Sequence, residues 1–168
     1  MKIKKLNALI LIPILLAIVF AGNSEEGWYG FNEGIDEAKE TEKPTMIDFY
    51  TSWCHWCDVM DEKTFSNDTV KEFLDKNFVK IRIDAENKNS NHNFKGNQYN
   101  SVQLTKAFNV TGYPSIAFLD NNQNVITVIP GYIPADKFIK ILEYIDMECY
   151  KKQISFEEYL KKGCEEES

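Results

Sequence analysis

The stretch Asp48-Phe49-Tyr50-Thr51-Ser52-Trp53-Cys54-His55-Trp56-Cys57 decides the reading of this chain. Its first half lies in residues 45–51 (TMIDFYT), rich in β-forming residues and largely apolar, the pattern of a strand covered on both faces. The strand runs directly into two cysteines separated by two residues. Beyond Cys57, the residues Val59, Met60, Phe65, Val70, Phe73 and Leu74 recur at roughly helical spacing. A break is expected near Ser66-Asn67-Asp68, giving two helical pieces.

The cysteine pair therefore sits where a strand hands over to a helix. A thiol in the first turn of a helix meets unpaired N–H groups and the positive end of the helix dipole. Both stabilise thiolate and lower the pKa from its ordinary value of about 8.5. Cys54 is then the attacking sulfur, and Cys57, one turn on, the thiol that resolves a mixed disulfide. Three other readings compete. A structural zinc site needs four ligands, and the remaining cysteines, 149 and 164, are not paired as Cys-x-x-Cys. Covalent haem attachment requires His directly after the second cysteine, where this chain has Asp58. An inert disulfide would leave the strand-to-helix placement a coincidence. No metal site is expected.

Working outward, residues 28–31 precede Asn32, which is expected to cap a helix carrying Ile35 and Ala38 and ending before Pro44. Residues 78–84 (FVKIRID) alternate as a second strand. Residues 86–101 hold few large apolar groups and are expected to form an exposed, disordered inserted loop in which His92 is solvated. Residues 102–108 make a short helix. Gly112-Tyr113-Pro114 then introduces two strands, 115–119 and 125–129, around an Asn-rich turn. Pro134 opens a helix with an apolar stripe of Phe138, Ile139, Ile141, Leu142 and Ile145. Ser155 with Glu158 forms a capping-box pattern for a last helix. The expected class is α/β, a central mixed sheet with helices on both faces plus an extra C-terminal helix.

The quoted stretch, with Thr111-Gly112-Tyr113-Pro114 downstream and Gly131 after the hairpin, resembles the thioredoxin superfamily over about residues 28–147. It is most similar to exported thioredoxin-like thiol-disulfide oxidoreductases whose active site reads Trp-Cys-x-Trp-Cys, followed here by Val59-Met60 and Thr64-Phe65. The resemblance implies that Asp48, six residues before Cys54, is a buried carboxylate exchanging protons with the second cysteine. Burial raises the pKa of such a group toward neutrality. The resemblance also makes Pro114 a cis-proline beside the disulfide and, with Tyr113, part of the substrate-binding surface. Trp53, Trp56, Tyr50 and Tyr113 form an aromatic apron on this reading; the alternative is that Tyr50 is core and the two tryptophans alone are exposed. His55 departs from the Gly-Pro pair of cytoplasmic thioredoxins. An imidazole there favours thiolate and oxidising behaviour, whereas Asp48 fits a reductase, so direction stays open with a lean to reduction.

The two ends of the chain set its context. Lys2, Lys4 and Lys5 precede an uncharged apolar run, residues 8–21, short for a membrane span of about 20 residues. Residues 1–21 are expected to be a signal peptide cleaved after Ala21, with an uncleaved anchor as the alternative. Residues 22–147 form the thioredoxin-like domain and 148–168 a helical extension. Removing residues 1–21 leaves 16 basic against 26 acidic residues, a net charge of −10. That charge disfavours nucleic acid and anionic lipid as partners. In an extracytoplasmic, periplasm-like compartment Cys149 and Cys164 are expected to pair as a structural disulfide. The expected molecule is a monomer without dissociable cofactor, exchanging electrons with protein thiols and disulfides and with a partner dithiol protein. The rival from another class is a thioredoxin-fold module that binds a metal-delivery or cytochrome-maturation client without turnover.

Overall fold

The computed structural model describes residues 27–164; residues 1–26, with the expected signal peptide of residues 1–21, and residues 165–168 lie outside the described residues. Helix α1 spans Phe31–Thr41 and strand β1 Thr45–Tyr50; α2 (His55–Met60) passes through a π-helical turn, Asp61–Phe65, before α3 (Asp68–Asn77). Then come β2 (Val79–Asp84), β3 (His92–Phe94), β4 (Asn97–Tyr99), α4 (Ser101–Ala107), β5 (Ser115–Leu119), β6 (Val125–Pro130) and α5 (Ala135–Asp146). A 3₁₀ turn at Cys149–Lys152 and α6 (Phe156–Lys162) are the last elements among the described residues.

Four strands form one mixed sheet in the order β2-β1-β5-β6, with β1 parallel to β2 and antiparallel to β5. Alternation along β1 sends its side chains to two cores. Ile47 and Phe49 pack with Phe31, Ile35, Ile81, Leu104 and Phe108, beneath α1 and α4. Met46 packs with Met60, Leu74, Phe118, Phe138 and Leu142, beneath α2, α3 and α5. Asp48 shares the parity of Met46 and so points into the layer that carries α2. The close approach of α1 to the sheet depends on Gly34, since a Cβ there would meet the side chain of Ile81, with Cδ1 only 2.7 Å away.

Three expectations are corrected. Gly30, not Asn32, caps α1. The Asn32 amide is taken by the insertion instead: it donates to Asn91 O at 2.9 Å and accepts from Asn93 N–H at 2.8 Å. The insertion itself is ordered, with β3 and β4 paired as a hairpin. It has too few apolar residues for a core of its own, so it borrows one: Phe94 is buried between Phe31 and Phe108, ring centroids 5.8 and 5.2 Å away. His92 is likewise not solvated. It packs edge-on to Phe31, its Nε2 lies 2.9 Å from Ser101 Oγ, and burial pushes its pKa down.

The C-terminal extension closes on itself. Cys149 and Cys164 are bonded and buried in a small cluster with Ile154 and Tyr159, and Tyr144 on α5 donates its hydroxyl to Ile154 O at 2.7 Å. The Ser155–Glu158 capping box is formed at the start of α6. Bridging a sequence separation of 15 residues restricts the unfolded chain by about 3 kcal/mol. The double replacement Cys149→Ser/Cys164→Ser is expected to lower unfolding stability by about that amount while leaving disulfide-exchange rates unchanged, checked by denaturant unfolding beside a turnover assay.

Candidate active site

Cys54 stands at the point where the turn leaving β1 becomes α2. It caps the helix from an extended backbone conformation. The Cys57 N–H points at Cys54 Sγ, 3.1 Å away, and Cys54 O accepts from the N–H groups of Cys57 (2.9 Å) and Asp58 (3.3 Å). An N–H aimed at sulfur binds the thiolate better than the thiol, which lowers the cost of ionising Cys54 once the disulfide opens. Cys54 and Cys57 are bonded, Cα atoms 5.3 Å apart. Two intervening residues span about one helical turn and return the second sulfur to the first.

Both sulfurs are nearly covered, whereas the flanking Trp53 and Trp56 are 66% and 55% exposed. The indoles lead to two aromatic pairs. Trp53 meets Tyr113 edge-on, centroids 6.1 Å apart, and Trp56 lies 5.6 Å from Tyr132. Trp53 Nε1–H donates to Glu86 Oε2 at 2.9 Å, fixing that ring from the segment after β2. The Tyr113–Pro114 peptide is cis. Pro114 is buried, and its carbonyl accepts from Gly131 N–H at 2.7 Å. His55 is exposed beside Trp56, centroids 5.9 Å apart. Tyr50 is half-buried under the guanidinium of Arg82, so it belongs to the interior rather than to the exposed aromatic surface.

Asp48 is 1% exposed. Arg82 stands opposite it in the β1–β2 register, and Arg82 Nε approaches Asp48 Oδ2 to 3.1 Å. The contact is an ion pair off the line of a good hydrogen bond, and Asp48 Oδ1 is buried with no hydrogen-bond partner. Burial pushes the carboxyl pKa up to about 7, opposed by the Arg82 charge and reinforced by the nearby Asp61 carboxylate. A carboxyl balanced there gives and takes a proton near neutral pH. The fold thus gathers Asp48, Cys54 and Cys57 around one layer and sets Trp53, Trp56, Tyr113 and Pro114 about it, while Cys149 and Cys164 are committed to the tail.

Arg82, Asp61, Glu86 and Tyr132 escaped the sequence reading. The alternation of residues 78–84 set the parity of Arg82, yet only strand pairing reveals that it faces Asp48. Asp61, seven residues after Cys54, would have emerged from following the helix past its first turn.

A strand-to-helix dithiol at a helix cap, with a buried acid in the same layer, defines a thiol-disulfide oxidoreductase of the thioredoxin class. The thioredoxin-like domain family matches residues 31–146, and the chain belongs to that family. The chain is similar to the thiol:disulfide interchange protein DsbD of Campylobacter jejuni, 31% identical over 113 residues that make up 67% of this chain and 18% of that protein. It therefore spans less than a fifth of that relative's length. Among solved structures, a thioredoxin-fold protein from Helicobacter pylori superposes with a TM-score of 0.62 at 18% identity, covering 83% of this chain and 85% of that one. The C-terminal domain of DsbD from Neisseria meningitidis in its reduced form gives 0.51 at 24% identity, covering 66% and 90%. At those identities the two structures speak to the fold.

Proposed function

We propose that the protein reduces protein disulfides outside the cytoplasm, Cys54 attacking and Cys57 resolving. The observation that carries this reading is the Cys54–Cys57 pair with an N–H on the first sulfur and, in the same layer, a buried carboxyl whose pKa is about 7. In the dithiol form, the Cys54 thiolate attacks a substrate disulfide; one substrate sulfur leaves as thiolate and is protonated, and a mixed disulfide forms. Asp48 takes the Cys57 proton, and Cys57 attacks Cys54 Sγ and releases the second substrate sulfur. Two electrons pass to the substrate and the Cys54–Cys57 bond is made. A partner dithiol protein then restores the pair, so no dissociable cofactor enters the cycle. The DsbD relatives, thiol:disulfide interchange proteins, are named for this chemistry.

The exposed indoles and Tyr113 offer apolar contact for a substrate chain passing the sulfurs. Export rests on the basic and apolar start of the chain, residues 1–21; among the described residues no helix is long and apolar enough to cross a membrane. The protein is taken to work as a monomer.

Insulin reduction driven by dithiothreitol, together with the reduction potential of the pair, tests the proposal. The expected results are turnover by the wild type and a potential near that of thioredoxin, about −270 mV. A potential near −120 mV, that of a strong oxidant, overturns the reducing direction. No turnover by the wild type overturns the enzyme reading in favour of a binding module.

A further inference from the structure

One cleft among the described residues lies beside Arg82 and not over the disulfide. It is a hollow of about 450 Å³ lined by Trp28, Asp61, Phe65, Lys71, Lys80 and Arg82 among others. Arg82 lies between its solvent and Asp48. The guanidinium is packed on two rings, its Cζ 5.2 Å from the Trp28 centroid and 4.7 Å from that of Tyr50. Held in this way, it divides its charge between two carboxylates through different nitrogens. Nη2 lies 2.6 Å from both oxygens of Asp61, whereas Nε lies 3.1 Å from Asp48 Oδ2 without good alignment. The shorter, better-directed contacts go to Asp61. Asp61 is placed for this by the π-helical turn, which widens the helix immediately after α2; such turns recur at functional sites.

We propose that Asp61 is a positioning residue of the active site: by drawing the Arg82 guanidinium toward the cleft it limits the charge that reaches Asp48, and so governs how readily Asp48 releases its proton. The assignment rests on the oxidoreductase reading for its purpose but on the Asp48–Arg82–Asp61 geometry for its existence. The groups involved come from three elements. Asp48 on β1 faces Arg82 on β2 and Asp61 on the π-helical turn, and Cys57 of α2, buried and bonded to Cys54, becomes titratable once the disulfide opens. Arg82 faces those two carboxylates and Tyr50. Of the remaining charges at the cleft, Lys80 is paired with Asp75, and Asp68 and Lys71 line the outer wall. An Arg82 free of Asp61 would turn its full charge on Asp48 and hold the carboxylate ionised to lower pH.

Isotope-edited NMR of the Asp48 carboxyl carbon in the reduced, full-length protein follows this titration directly, whether or not the protein turns over. In Asp61→Asn the Asp48 midpoint is expected to fall by about one pH unit, and Asp61→Glu is expected to restore it. Because Asp61 acts through Arg82, the fall is expected to be less than half as large in an Arg82→Gln background, a non-additivity that two independent charges would not show. If Arg82→Gln does not fold, Arg82→Lys, which lacks the shared guanidinium, serves the same comparison. An Asp48 midpoint unmoved by Asp61→Asn overturns the proposal, and so does a shift of full size in the Arg82 variant. Midpoints that move as expected in a protein unable to reduce insulin would keep the coupling and remove the enzyme reading.

Discussion

Cys54→Ser is expected to abolish insulin reduction, with a loss of at least about a thousandfold, while the fold is unchanged. A serine hydroxyl does not ionise near neutral pH, and an N–H at 3.1 Å cannot make it an attacking anion. Cys57→Ser is expected to fail differently. Cys54 still attacks, but nothing resolves the product, so the protein accumulates as a mixed disulfide with its substrate. Intact-mass analysis after one exposure to oxidised insulin separates the two: an adduct with Cys57→Ser and none with Cys54→Ser. The reverse pattern would exchange the roles of the two sulfurs.

Asp48→Asn is expected to make the protein more stable and a poorer catalyst. The folded pKa of Asp48, about 7, lies above the 3.8 of the free carboxyl. The native state therefore holds the proton more tightly than the unfolded chain does. Stability falls as pH rises from about 4 through 7 and stays low above, where a charge is buried. At about 1.4 kcal/mol per pKa unit, a rise from 3.8 to about 7 means that the ionised carboxylate costs about 4 kcal/mol above pH 7. Asparagine carries no charge at any pH, and Arg82 keeps Asp61 as a partner. Denaturant unfolding is expected to show Asp48→Asn ahead of the wild type at pH 8 by roughly 2 to 4 kcal/mol, with the gap closing toward pH 4. Turnover is expected to drop about a hundredfold at neutral pH, in the range of a lost proton-transfer group, and to lose the wild-type dependence near pH 7. Equal stability at pH 8 would mean that Asp48 is ordinarily ionised in the fold.

Much of this site was legible because its chemistry is local. A strand of apolar residues, a cap and two sulfurs one turn apart are all encoded within residues 45–57, and Asp48 lies in the same run. What was not legible depends on contacts between distant segments. Arg82 becomes a partner of Asp48 only when β2 pairs with β1, and Glu86 holds Trp53 only when the segment after β2 folds back over the helix start. The insertion was misread for a related reason. Its composition argues against a self-sufficient core, and that argument is sound for an isolated segment. It does not weigh one phenylalanine, Phe94, that docks into a core already built by Phe31 and Phe108, or the side chains of Asn32, Ser90 and Ser101 that tie the hairpin down. Asn32 shows the same competition at one residue, since a good helix cap was taken by a tertiary partner.

Disulfide exchange at this site depends on Cys54 being an activated nucleophile. Ultraviolet titration of its thiolate in the reduced protein, with Cys57→Ser removing the second thiol of the pair and the tail disulfide left intact, measures this directly. A midpoint clearly below the ordinary cysteine value of about 8.5 is predicted. A midpoint at or above that value would contradict the assignment of Cys54 as the attacking sulfur.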